Sequence, residues 1–162
     1  MKLFNSSKGQ TLIEALVALG AAVVVLSAIT VAVISALNNV QYTKNQNQAT
    51  EYAQQGMEIV RQIGQSDWGY FSLTEKSNKY CLSDGSNVLE DISPISLSCG
   101  QNIGIFVREV DIEQDTLTCS DSVLIIVKVS WSDGKCDINN PYCHTVKLDT
   151  CLSNHSKNVI TP

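Results

Sequence analysis

The chain has 162 residues, 44% of them hydrophobic, and carries a formal net charge of −5 at pH 7. That length suits one compact domain plus an anchor. The acidic balance excludes a general magnet for phosphate backbones and argues against nucleic acid as a partner; beyond the N-terminal segment the only close basic pair, Lys76 and Lys79, reads as a solvated loop.

Residues 1–9 carry Lys2 and Lys8 and end in Gly9. From Ala15 to Leu37 no residue is charged, and only Gly20, Ser27, Thr30 and Ser35 interrupt the Ala, Val, Leu and Ile. A hydrocarbon core of about 30 Å needs roughly 20 apolar helical residues, so the run is long enough to span a bilayer. Glu14 stands at its entry. A charge at mid-membrane costs about 2.5–3.5 kcal/mol on insertion scales, which makes an acid here a functional candidate. The plainer reading places Glu14 in the headgroup layer, favoured by the helix dipole.

The helix is expected to continue past Leu37. Asn38 to Lys44 is polar but lacks Pro and Gly, with Asn38 and Asn39 a weak point where a kink could form. Ala49, Ala53, Met57, Val60 and Ile63 then recur at three- and four-residue spacing, an apolar stripe suited to packing on a sheet. Gly64 supplies a stop signal. A helix from Thr11 to Ile63 would be about 80 Å long at 1.5 Å per residue. Its apolar half covers residues 10–38 and its amphipathic half 39–65.

Residues 66–101 show no sustained period and read as a variable loop region. Trp68, Tyr70 and Phe71 suggest a cap on the helix, and Asp84-Gly85 and Ser93-Pro94 are turn signals. Ile103, Ile105 and Val107 alternate, and Val110 and Ile112 resume on a shifted phase, which predicts a bulge at Arg108-Glu109. Val123, Ile125, Val127, Val129 and Trp131 form a strand with Leu124 and Ile126 on its other face. Val146 and Leu148 lie in a third strand, after a turn beginning at Ser132-Asp133-Gly134-Lys135. The pattern predicts an α+β domain: a long N-terminal helix packed on a three-stranded antiparallel meander over 102–153, with a tail at 154–162.

All six cysteines lie beyond the apolar run. Lys2 and Lys8 place the N-terminus in the cytoplasm and the C-terminal part outside, where an even cysteine count reads as disulfides. Strand directions put Cys99, Cys136 and Cys143 at one end of the meander and Cys119 and Cys151 at the other, favouring Cys119–Cys151. The remainder pair locally, as Cys136–Cys143 and Cys81–Cys99, or cross, as Cys99–Cys136 and Cys81–Cys143. Zinc is the weaker reading: no C-x-x-C pair exists, and His144 reads as a strand residue. Asp111-Ile112-Glu113-Gln114-Asp115 alternates acids but lacks the Gly and terminal Glu of a calcium loop, so a solvated strand end is expected. Asn154-His155-Ser156 matches a glycosylation acceptor. No catalytic constellation, phosphate loop, cofactor site or metal site is expected, and the chain is not expected to be an enzyme.

Lys8-Gly9 followed by Gln10-Thr11-Leu12-Ile13-Glu14-Ala15-Leu16 resembles the cleavage and assembly signal of type IV prepilins and type II secretion pseudopilins. The motif covers about the first third of the chain. The resemblance implies a leader, residues 1–9, removed between Gly9 and Gln10 by a membrane prepilin peptidase, which also methylates the Gln10 amine. It implies that Glu14 is the assembly glutamate, and that the fold is pilin-like. It further implies a single-pass protein of the cytoplasmic membrane with its C-terminal domain outside, later part of an extracellular filament. Its partners would be lipid before assembly, an assembly platform protein, and other pilins. Gln10 stands where major pilins usually have Phe, and no Pro interrupts the run near Val31 and Ala32. Both departures favour a minor pilin, a pseudopilin or a divergent lineage over a major pilin. The alternatives are a secretion pseudopilin, a non-polymerising anchored adhesin, or a DNA-uptake binding module. Loss of the leader would bring the charge to −5 − 2 = −7, neglecting termini.

Physically, a free α-amine with a pKa of about 7.7–8.0 and a carboxylate one helical turn away share one helix end. In lipid each stabilises the other's charge. Between neighbouring helices such a pair would set axial register. Ala18, Gly20, Ala21, Ala22, Ser27 and Ala28 are small enough to let helices approach closely.

Overall fold

The computed structural model describes residues 10–72, 77–92, 98–114, 118–120 and 122–153. The leader, Lys76, Ser93-Pro94, Asp115 and the tail with Asn154, His155 and Ser156 lie outside them. Helix α1 spans Gln10–Ser66, unbroken through Asn38-Asn39 and past Gly64. The chain divides into two compact units, Met1–Thr43 and Lys44–Pro162.

In the first unit every described side chain from Thr11 to Thr43 is exposed. No share of its most apolar window is buried, and the helix is long and apolar enough to cross a membrane. The hydroxyls of Ser27 and Thr30 are satisfied within the helix. Ser27 Oγ donates to the Val23 carbonyl at 2.8 Å, and Thr30 Oγ1 to the Leu26 carbonyl at 2.8 Å. A polar group in hydrocarbon must find its partner inside the protein, and these do so one turn back.

The second unit packs the amphipathic half of α1 on a sheet. Ala49, Ala53 and Val60 are fully buried, with Met57 beside them. Gly56 sits where helix and sheet approach closely: a Cβ there would meet Val127 Cγ1 at 3.0 Å and Arg108 Cδ at 3.1 Å. Gly64 does not stop the helix. It makes room for Phe71, whose ring atom Cε2 would lie 2.7 Å from a Cβ at position 64. A short helix α2, Trp68–Ser72, brings Phe71 into the core.

The sheet has five strands, not the three expected: β1 Ser77–Cys81, β2 Glu90–Asp91, β3 Phe106–Glu113, β4 Val123–Trp131 and β5 His144–Leu152, in the order β2-β1-β3-β4-β5. All pairings are antiparallel. The β3-β4-β5 part is the expected meander. Strands β1 and β2 come from the stretch read as loop. They are short and polar, and they exist because β3 offers an edge on which Ser77–Cys81 pairs residue for residue. The buried alternation Tyr80, Leu82 was the one signal of β1.

The expected bulge is absent. Strand β3 pairs with β4 in one unbroken register from Phe106↔Trp131 to Glu113↔Leu124. Phe106, Arg108, Val110 and Ile112 therefore share the helix-facing side, and all are buried. The apparent slip arose because an arginine, 2% exposed, occupies a core position. Its Nε donates to the Leu82 carbonyl at 2.9 Å, Nη1 to the Tyr52 carbonyl at 3.2 Å and Nη2 to the Ser83 carbonyl at 3.1 Å. Burial lowers the Arg108 pKa from its ordinary value, opposed by Asp84 and Tyr52. The side chain ties α1, β3 and the segment after β1 together. Ile103, read as part of the strand, instead pairs with Phe106 across a tight turn in which Gly104 adopts φ of +57°.

Three cystines close the domain: Cys81–Cys99, Cys119–Cys151 and Cys136–Cys143. Their placement follows strand ends. Cys151 on β5 lies opposite Leu124 at the start of β4, within reach of Cys119 just upstream. Cys136 and Cys143 flank the β4–β5 connection.

Candidate functional site

Two regions carry chemistry. The first is the entry of α1. Gly9 is outside the described residues, Gln10 is the first residue of the helix, and Glu14 follows one turn later on an exposed part of it. On either side of Glu14 the helix presents Leu12, Ile13, Leu16, Val17, Leu19 and Val23 to the outside, each between 58% and 67% exposed. Apolar side chains wrap the whole circumference, so no single face is reserved for a sheet. A helix apolar all round belongs in lipid or in a bundle.

The second region lies at the β4–β5 connection. A row of rings crosses the sheet towards it. Tyr52 on α1 packs edge-on to Phe106 at 5.3 Å between centroids, Phe106 lies 6.0 Å from Trp131, and Trp131 stacks on His144 at 5.3 Å. Phe106, Trp131 and His144 are direct cross-strand partners, so register alone creates this row. The stacking fixes the imidazole, and His144 Nε2 reaches Asp133 Oδ2 at 2.9 Å. The Lys135 N–H donates to Asp133 Oδ1 at 2.9 Å. That donation, then His144, holds the Asp133 carboxyl below its ordinary range. Gly134 adopts φ of +79°, which turns the chain sharply between them. The Cys136–Cys143 cystine lies alongside. One ligand atom each from Asp133, Cys136, Cys143 and His144 falls within 4.8 Å of the others.

Sequence reasoning placed His144 on a strand, as observed, but saw no reason to join it to Asp133, eleven residues away. The available signal was Asp133-x-x-Cys136 followed by Cys143-His144 at the two ends of one hairpin. The run from Asp111 also differs from expectation. Asp111 is a buried strand residue, not a solvated strand end, and accepts from Lys128 Nζ at 2.6 Å. Gln114 is turned to the Phe71 carbonyl at 3.3 Å. Asp111 is thus held by the neighbouring strand and Gln114 by α2.

Comparison with models of protein families, with curated proteins and with solved structures finds no match.

Proposed function

We propose that this chain is a prepilin-like structural subunit, inserted in the cytoplasmic membrane, trimmed after Gly9 and built through its N-terminal helix into a type IV pilus-like filament. It acts as a minor or divergent pilin and is not an enzyme. The observation that carries this reading is α1 between Thr11 and Leu37, whose apolar side chains bury nothing against their own chain and whose single acid is Glu14. A helix of that kind needs a solvent from outside: lipid first, and then the matching helices of other subunits. A pilin-like layout is supported by the amphipathic continuation of the same helix lying on an antiparallel sheet.

In this reading the freed Gln10 amine and Glu14 do the recognition. Neither charge tolerates isolation in a dry bundle, and pairing between subunits sets the axial stagger. Assembly transfers the helix from lipid to protein, so its gain comes from close packing more than from leaving water. Gly20, where a Cβ would meet nothing within 4 Å in the single chain, is a place for a neighbouring helix.

Mass spectrometry of the mature N-terminus tests the processing step. The expected chain begins at a methylated Gln10; an intact Met1, or cleavage after the apolar run, overturns the reading. Glu14→Gln tests assembly: membrane insertion stays intact and incorporation into filaments falls. Equal incorporation of the variant would remove Glu14 from its role.

A further inference from the structure

We infer that the end of the sheet at which α1 enters the second unit is a membrane-contact surface: before assembly, Val88, Ile105 and Ile138 rest on the lipid bilayer that holds the apolar helix. The inference rests on the membrane-inserted reading above and adds a second contact with the same membrane. Among the described residues from Lys44 onward, the large apolar side chains left exposed are Val88 at 67%, Ile105 at 47% and Ile138 at 96%. Single exposed apolar residues are ordinary on a soluble surface. These three share one end of the sheet. Val88 lies two residues before β2, whose Glu90 pairs with Cys81 at the end of β1. Ile105 immediately precedes β3, and Ile138 lies in the connection after Trp131, the partner of Phe106. The Asp84 N–H donates to the Asn102 carbonyl at 3.1 Å, which joins the loops of Val88 and Ile105. At the other end, where Gln114 reaches Phe71, no large apolar side chain is exposed among the described residues.

Tyr52 packs on Phe106 at this same end, so it is here that α1 enters the unit. The apolar run stops at Leu37, and residues 38–43 alone separate it from Lys44, where the unit begins. Six residues reach about 20 Å at full extension and about 10 Å as helix. An inserted chain therefore keeps this end of the unit beside the bilayer, whatever the angle between them. The loops that carry the three side chains are spread from β2 to the β4–β5 connection, about 15–20 Å at about 4.8 Å per strand. A broad surface touches points so far apart at once. Each side chain is also held ready, so docking orders little that is loose. The Val88 N–H donates to Ser86 Oγ at 3.2 Å, and Ile105 sits in the turn closed by Ile103 and Phe106. Ile138 lies in the loop closed by Cys136–Cys143, where the Asn139 N–H donates to Asp137 Oδ1 at 2.8 Å. The charged groups on these loops are Asp84, Asp133, Lys135 and Asp137, with a net negative sum. Attraction to anionic headgroups is thus not the driving force, and the contact is apolar burial at the interface.

The test uses the full chain reconstituted at low density in phosphatidylcholine vesicles whose acyl chains carry bromine near the headgroup. Flotation with the vesicles reads insertion, and quenching of tryptophan emission reads docking. Ile138→Trp is compared with the parent, which carries Trp68 and Trp131, and with Ser120→Trp, an exposed position at the other end of the sheet. The emission added at position 138 is expected to be quenched and that added at position 120 to be spared. Quenching at 138 should survive added salt, which screens charge contacts but not apolar ones. Replacing Val88 and Ile105 by serine in the Ile138→Trp chain should lower the ratio of docked to free unit about tenfold or more. All three positions are exposed, so the core is untouched by these changes. The inference fails if a floating chain shows no more quenching at 138 than at 120, or if the double serine change leaves the quenching as it was. It fails equally if quenching disappears in salt, or appears only when chains are crowded, which assigns the surface to a second copy. A chain that does not float overturns the membrane reading itself, and this inference with it.

Discussion

Helix α1 holds two regions under opposite demands. From Leu12 to Leu37 its large apolar side chains are more than half exposed. From Ala49 to Val60 its stripe is covered by the sheet, while Gln54, Gln55 and Glu58 stay outside. Backbone and helical geometry are shared; only the distribution of apolar residues around the axis differs. One stripe, repeated every three or four residues, needs a single covering surface, and its own chain supplies it. An apolar circumference cannot be covered by one sheet, and its own chain leaves it bare. The glycines mark the same contrast: Gly56 is pressed between Val127 and Arg108, and Gly20 touches nothing.

The largest test of the covered half is Arg108→Ala. It strips the buried Leu82 carbonyl of its donor and removes two part-buried bonds to the Tyr52 and Ser83 carbonyls. At roughly 1–3 kcal/mol for each unsatisfied buried group, a loss of about 3–5 kcal/mol is expected in urea unfolding followed by tryptophan fluorescence. Next comes removal of the Cys119–Cys151 bridge by paired serines, which should cost about 2–4 kcal/mol in the same measurement and leave the apolar half of α1 unaffected. Gly56→Ala follows. Its Cβ would press on Val127 and Arg108, and overpacking of this kind costs about 1–3 kcal/mol. The smallest change is Gly20→Ala. In the single chain it should be neutral or add up to about 1 kcal/mol of helix propensity, read as helicity in detergent. In a filament the same substitution should impair packing. If Gly56→Ala and Gly20→Ala behaved alike in the isolated chain, the contrast between the two halves would collapse.

Legibility divided along physical lines. The apolar run and the stripe of α1 are local periodicities, so both halves of the helix could be read without knowing what surrounds them. The alternation of Val123, Ile125, Val127, Val129 and Trp131 was equally open. Arg108 misled because periodicity reads residue type, and a guanidinium at a core position looks like a break in phase. What makes it a core residue is three carbonyls contributed by α1 and the segment after β1, none of them near it in sequence. Ser77–Cys81 was hidden for a related reason: a short polar strand takes its structure from the edge it joins.

The candidate site shows the same boundary. Glu14 stood out because a lone acid beside an uncharged span is costly within hydrocarbon. The joining of Asp133 to His144 left only the spacing of Asp133-x-x-Cys136 and Cys143-His144 as a signal, since it depends on Trp131 facing His144 on the neighbouring strand. Order along the chain was therefore enough to set where the helix runs, which half of it is apolar all round, and where one sheet strand lies. Which polar groups meet was decided by strand register and helix packing, because those bring together residues whose spacing carries no repeat. Interactions within one helical turn or one strand leave a period in the sequence; interactions between elements leave none.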